Sequence, residues 1–191
     1  MSFRHFDTRR KGRKTNQKTQ FLISFTVPKE WLRMEQTQTT FNAILINKGL
    51  NVLETGNNSD GTEVLVIDSE NILKTLELLK DSTETRFNML VSISGVDTGE
   101  GFEVVYHLFS TINNKKLVVR CRLNKNNPEI QSIAALYTAA DWHEREVYDL
   151  FGIKFLNHPD LRRILLPNDW IGHPLRKDYV LNDERLSWNE R

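Results

Sequence analysis

The chain has 191 residues, 39% of them hydrophobic and 27% charged, enough for one globular domain with a tail and too few for two comfortable domains. Its formal net charge is +1, and no run of about 20 apolar residues is present, so any contact with a membrane would go through partners or surface charge. Cys121 is the only cysteine, which excludes an intrachain disulfide and a self-contained iron–sulfur cluster, and it reads as a small buried hydrophobe.

The near-neutral total hides a basic start. Within residues 1–20, Arg4, Arg9, Arg10, Lys11, Arg13, Lys14 and Lys18 stand against Asp7 alone, so the rest of the chain is net acidic. This arm reads either as a transit peptide or as a solvated extension that docks on an acidic neighbour, anionic lipid or RNA. Residues 21–27 follow as a β-type run ended by Pro28, and residues 29–36, with Trp31, form a brief helical piece.

Phe41, Ile44, Leu45 and Lys48 have helical spacing, and Lys48-Gly49 is a stop before a strand at residues 50–53. Asn57-Asn58-Ser59-Asp60-Gly61 is a turn cluster, and residues 63–67 close a hairpin. Asp68-Ser69-Glu70 offers an N-cap to a helix whose stripe is Ile72, Leu73, Leu76 and Leu79. Three strands at residues 87–93, 102–112 and 117–123 come next, the last two joined tightly by Asn113-Asn114-Lys115. The order of helix, two strands, helix and three strands predicts an α+β two-layer sandwich, with both helices on one face of a mixed, mainly antiparallel sheet.

After Asn126-Asn127-Pro128, residues 133–151 predict two short helices or one kinked helix, stopped by Gly152. Pro159, Pro167 and Pro174 then keep the end of the chain irregular. The chain thus divides into a basic arm (1–20), a sheet domain (21–128), a helical segment (129–152) and an extended tail (153–191).

On the helical segment Arg145 and Asp149 share a face, as do Glu146 and Asp149, and they lie among Trp142, Tyr148 and Phe151, a mixture that suits a protein interface. In the tail, His158-Pro159-Asp160 with Arg162 and Arg163 is matched by His173-Pro174-Leu175-Arg176-Lys177-Asp178. Each X-Pro step holds the backbone extended while charged groups project. Such a strip either wraps a partner, over an obligate interface of roughly 2,000 Å² or more, or folds back on its own domain. His143, His158 and His173, with Glu144, Asp149 and Asp160, form a weaker zinc-hydrolase pattern because the histidines are too widely spaced. A nucleic-acid-binding module built on the basic arm is opposed by the acidic body. No phosphate-binding loop, dinucleotide fingerprint or nucleophile elbow is present, and Gly99-Glu100-Gly101 reads as a turn.

One stretch carries more than spacing. Glu144-Arg145-Glu146, Tyr148-Asp149, Phe151-Gly152-Ile153, His158-Pro159, Leu161, Arg163-Ile164-Leu165, Trp170, Gly172 and Pro174-Leu175-Arg176-Lys177-Asp178 together resemble the signature of the 30 kDa subunit of respiratory complex I, the NADH-quinone oxidoreductase. Phe102-Glu103-Val104-Val105-Tyr106 extends the resemblance upstream, whereas Leu150 replaces a usual Met and Ser92 a usual acid, with Asp97 retained. The resemblance implies a core structural subunit of the peripheral arm of the enzyme, part of a hetero-oligomer, that packs on the 49 kDa subunit beside the quinone-reducing module. It also implies no catalytic, metal or cofactor-binding residue here, with NADH, FMN, iron–sulfur clusters and ubiquinone belonging to other chains, and no nucleic acid. The partner-facing residues would be Trp142, Glu144, Arg145, Glu146, Tyr148, Asp149, Phe151, His158, Asp160, Arg162, Arg163, Trp170, His173, Arg176, Lys177 and Asp178. Abundant Asn, Lys and Ile point to an organellar genome, hence to the matrix side of the mitochondrial inner membrane, the alternative being the cytoplasmic side of a bacterial plasma membrane.

Overall fold

The computed structural model describes residues 40–180, so the basic arm, the β-type run at 21–27 and the helical piece at 29–36 lie outside the described residues. In chain order the elements are α1 (Thr40–Asn47), β1 (Val52–Asn57), β2 (Glu63–Ile67), a 3₁₀ turn (Ser69–Asn71) running into α2 (Ile72–Asp81), β3 (Met89–Asp97), β4 (Gly101–Ser110), β5 (Lys115–Asn124), β6 (Glu129–Gln131), α3 (Ala140–Phe151) and β7 (Lys154–Leu156).

The expected α+β architecture is present. Strands β1 to β5 form one sheet in the order β1-β2-β5-β4-β3, in which only β2 and β5 run parallel. Alternation along the strands sends Leu65, Ile67, Ile93, Phe102, Val104, Tyr106, Leu108, Leu117, Val119 and Cys121 to one side. There they meet Phe41 and Leu45 of α1, Ile72, Leu76 and Leu79 of α2, and Val147 of α3, so the helices share one face. Cys121 is fully buried, as expected, and burial pushes its thiol up, keeping it protonated. The opposite face carries a charge ladder in which Glu103 accepts from Arg120 and Arg122, and Arg122 also grips Glu54 at 2.7 Å through both terminal nitrogens.

Two features differ from the sequence expectation. Residues 133–139 form turns rather than a helix, because the N–H of Ile133 is taken by the Glu144 carboxylate and the Tyr137 hydroxyl reaches the Phe87 carbonyl. These bonds compete with helix propagation through Ala134, Ala135 and Leu136. The second is a small parallel sheet of β6 and β7, which brackets α3 and ties the start of the tail to the end of the sheet domain. Three-residue strands paired across 25 positions leave no period to read.

Helix α3 packs on β3 through a gap left by Gly95, where an added Cβ would lie 2.7 Å from Phe151 and 3.1 Å from Val147. It ends at Gly152, whose φ of 71° is the left-handed conformation that glycine adopts without steric cost, with its N–H on the Tyr148 carbonyl.

Candidate functional site: the joint between helix α3 and the tail

The signature residues converge on one joint. Asp149, fully buried near the C-terminus of α3, is its centre. One carboxylate oxygen accepts the backbone N–H groups of Ile164, Leu165 and Leu166 at 3.1, 2.8 and 2.9 Å, and the other takes the Arg163 guanidinium at 2.7 Å. Burial alone would raise this carboxyl, but the three N–H groups and Arg163 outweigh it and hold Asp149 below the usual carboxylate range. Arg163 also donates to the carbonyls of Trp170 and Gly172, so one side chain fixes two turns of tail.

The end of α3 receives the next tail segment. His173 Nδ1 lies 2.9 Å from the Asp149 carbonyl, and Arg176 donates to the Phe151 carbonyl while its guanidinium lies 5.1 Å over the Phe102 ring. Cations on the last carbonyls of a helix are favoured by its dipole. Burial leads the causes that lower the His173 pKa, and neighbouring Arg176 and Arg163 add to it, which keeps the ring neutral. Beyond it the Lys177 N–H binds Asp97 at 2.8 Å, and that bond with the Gly99 N–H lowers the Asp97 pKa. Asp178 reaches Lys125 at 3.7 Å.

The start of α3 holds a second buried acid. Glu144 is fully buried and accepts from the Ser132 hydroxyl at 2.6 Å and the Ile133 N–H at 2.7 Å. Burial raises its pKa to about 7, with those two donors opposing the shift. His158 packs beside it, with Nε2 at 3.2 Å from Asp141 and 3.8 Å from Glu144, while its Nδ1 accepts the Asp160 N–H at 3.0 Å. The proton of that tautomer therefore sits on Nε2, facing the acids.

The predicted Arg145–Asp149 pairing along the helix does not form. Asp149 takes Arg163, and Arg145 donates to the Arg162 carbonyl at 3.3 Å with Trp142 5.0 Å beneath it. Glu144, Arg145 and Asp149 are thus directed into the chain's own joint, and Tyr148 packs edge-on against His173 at 6.2 Å. Phe151 is half-buried against Gly95, and Glu146 faces solvent near His143 at 4.0 Å. Asp160 and Arg162 form an exposed pair at 2.7 Å, and the Trp170 ring is half-buried. The zinc pattern dissolves: His143, His158 and His173 serve three separate contacts, and among the described residues no group of three or more His, Cys, Asp or Glu is placed to hold a metal ion. Ser132 and Gly95 belong to the joint but carry no local signal that would single them out as its supports, whereas Asp97, the acid retained in the family resemblance, is placed there by its bond to the Lys177 N–H.

What the joint leaves outside is apolar. Trp142 is 63% exposed, Leu165 59% and Ile171 88%, with Leu175 and Val180 also facing outward.

The sequence pattern of the family described as "Respiratory-chain NADH dehydrogenase, 30 Kd subunit" matches residues 65–185. The C subunit of the NADH-quinone oxidoreductase of Citrifermentans bemidjiense is 47% identical over 124 residues, covering 63% of this chain and 76% of that protein. Its counterpart in Roseiflexus castenholzii is 42% identical over 122 residues, covering 62% and 70%. Among solved structures, a trypsin-resistant fragment of Nqo5 matches with 30% identity and a TM-score of 0.55 over 68% of this chain and 99% of that one. A chain of the membrane-bound sulfane sulfur reductase, an archaeal respiratory membrane complex, shares the fold with a TM-score of 0.65 at 22% identity, over 83% of this chain and 89% of that one. The two named oxidoreductase relatives are bacterial and lend no support to the mitochondrial placement expected from composition. With the signature gathered at one joint and the family pattern spanning most of its length, the chain belongs to the 30 kDa subunit family of respiratory NADH-quinone oxidoreductases, a non-catalytic subunit of that enzyme complex.

Proposed function

We propose that this chain is a scaffold of the peripheral arm of a proton-pumping NADH:quinone oxidoreductase, packed on the 49 kDa subunit beside the quinone-reducing module, with the redox groups and ubiquinone carried by other chains. One observation carries the reading. The tail is tied down from within by Asp149, Arg163, Arg176 and Asp97, yet it holds Leu165, Ile171, Leu175 and Val180 outward. A segment ordered at such cost in backbone entropy, with its apolar side chains turned to water, fits a preformed docking surface. The residues expected to face a partner then divide into those that build the surface (Glu144, Asp149, His158, Arg163, His173, Arg176) and those offered at it (Trp142, Glu146, Asp160, Arg162, Lys177, Asp178), with Arg145 buried between the two sets.

The tail as a partner-wrapping unit distinct from the sheet domain is part of the same proposal, and the trypsin-resistant form in which the Nqo5 relative was solved supports a protease-stable core. No helix among the described residues is long and apolar enough to cross a membrane, so the membrane would be reached through the assembly. The bacterial relatives favour the cytoplasmic side of a plasma membrane. The test is purification of the tagged chain from native membranes. Stoichiometric recovery of the 49 kDa subunit with it is the expected result, and its loss on Ile171→Asp with the chain still folded places the contact on the tail. Recovery of the wild-type chain as a lone monomer overturns the reading.

A further inference from the structure

Charges at the α3–tail joint are matched almost one for one. Asp149 has Arg163 at 2.7 Å and Asp160 has Arg162 at 2.7 Å, while Arg176 is bonded to the helix-end carbonyls. Arg145 is the exception. It is only 5% exposed, its Nε donates to the Arg162 carbonyl at 3.3 Å, and one face of its guanidinium is covered by the Trp142 ring at 5.0 Å. Its two terminal nitrogens make no hydrogen bond or ion pair among the described residues, yet neither is sealed from solvent. The nearby Asp160 carboxylate feels the Arg145 charge, but Arg162 holds it.

We propose that Trp142 and Arg145 form a receptor for one acidic side chain, Asp or Glu, on the partner polypeptide that covers α3 and the tail. This rests on the interface reading given above and names the chemistry of its anchor. The guanidinium is a planar fork whose terminal nitrogens suit two carboxylate oxygens approaching in its plane, and the indole closes one of its faces. The Asp160 carboxylate lies close enough to feel the Arg145 charge, so a doubly charged phosphate would meet stronger repulsion there than a single carboxylate. An exposed Trp beside a largely desolvated Arg is also the pairing that dominates interface energetics, the indole excluding water from the ion pair it borders. Arg145 and Trp142 are three residues apart on α3, so the helix fixes their spacing before any partner arrives.

The test uses complex purified from membranes of cells whose sole copy carries the change. With Arg145→Lys, carbodiimide treatment should couple the introduced amine to an Asp or Glu of another subunit as an amide, located by mass mapping of the cross-linked peptides. Arg145→Gln should lower incorporation at least ten-fold while the isolated full chain melts like wild type. Cross-links confined to Asp141, Glu146 or Asp160 of the same chain, or normal incorporation of Arg145→Gln, overturn the proposal. If Arg145→Gln fails to fold, Trp142→Ala decides: the indole is mostly exposed, and a ten-fold loss of incorporation supports the receptor whereas normal incorporation sinks it. Ile171→Asp separates the two levels of argument. Its loss from the complex alongside normal Arg145→Gln refutes only the receptor, and normal incorporation of both refutes the interface itself.

Discussion

The sheet layer and the α3–tail joint are held together by different physics. Between the sheet and α2 the contacts are apolar, with Leu65, Ile67, Leu76, Leu79, Val104 and Tyr106 almost fully buried. Past Ile153, Phe155 and Leu161, which reach the core, the tail is fastened by carboxylates on backbone N–H groups and by guanidinium on carbonyls. Apolar burial is non-directional and tolerates sliding, whereas a carboxylate shared among three N–H groups accepts one backbone geometry. A surface that must present fixed shape to a neighbour is better built the second way, and the two regions should fail differently when damaged.

The largest separation is expected from Asp149→Ala. It strands Arg163 and leaves the N–H groups of Ile164, Leu165 and Leu166 without their acceptor, at about 4 kcal/mol of local stability. Hydrogen exchange should then rise at those three amides and trypsin should cut the tail, while β2, β4 and β5 keep their protection. Equal loss of protection in the sheet would show that the two regions are one cooperative unit.

Leu65→Ala is the complementary cut. Deleting a fully buried side chain from β2 costs about 3 kcal/mol and lowers the denaturant midpoint of the whole domain, since every core strand shares that cluster. Tail amides lost at the same denaturant concentration as sheet amides are expected here, in contrast to Asp149→Ala.

Gly152→Ala falls between the two regions. The residue has φ of 71°, and an added Cβ would lie 2.5 Å from Arg176 and His173, so strain and collision combine at about 2 kcal/mol. The expected outcome is a folded sheet domain with the segment from His173 onward displaced from α3. Unchanged exchange at Leu175, whose N–H binds the Leu150 carbonyl, would argue against it.

The two regions also differed in how far they could be read from residue order. The α2 stripe of Ile72, Leu76 and Leu79 and the strands around Phe102 to Leu108 were legible because their partners repeat at the period of the element itself. Gly152 as a helix stop was legible for the same local reason. The partner of Asp149 was not: helical spacing nominated Arg145, and the contact formed is with Arg163 and three N–H groups 14 to 17 positions on, across an irregular tail with no period. β6 and β7 are not legible in the sequence because EIQ and KFL are too short to alternate. The signature residues were identifiable as a group, but which of them face inward depends on the path of the tail.

The smallest effect is a slope with pH, and it has opposite sign in the two acids of the joint. Burial penalises the charge of Glu144 and pushes its carboxyl up to about 7 from the ordinary 4.5. An acid whose folded pKa lies above its unfolded one holds its proton more tightly when folded. Stability therefore declines as pH rises from about 4.5 to about 7 and is flat above, by at most about 1.4 kcal/mol per pH unit for one proton. Asp149 is held below its ordinary value, so its contribution is complete at neutral pH and is lost only as pH falls through the lowered folded pKa. The windows do not overlap, which makes them separable. Glu144→Gln keeps an acceptor for Ile133 and a partner for Ser132 but cannot ionise, so the stability of that variant should be level between pH 5 and 7 where the wild type declines. Denaturant melts across that interval measure it directly; a wild type already level there would mean that Glu144 stays ionised, and the acid end of α3 would then hold a buried carboxylate rather than a buried neutral acid.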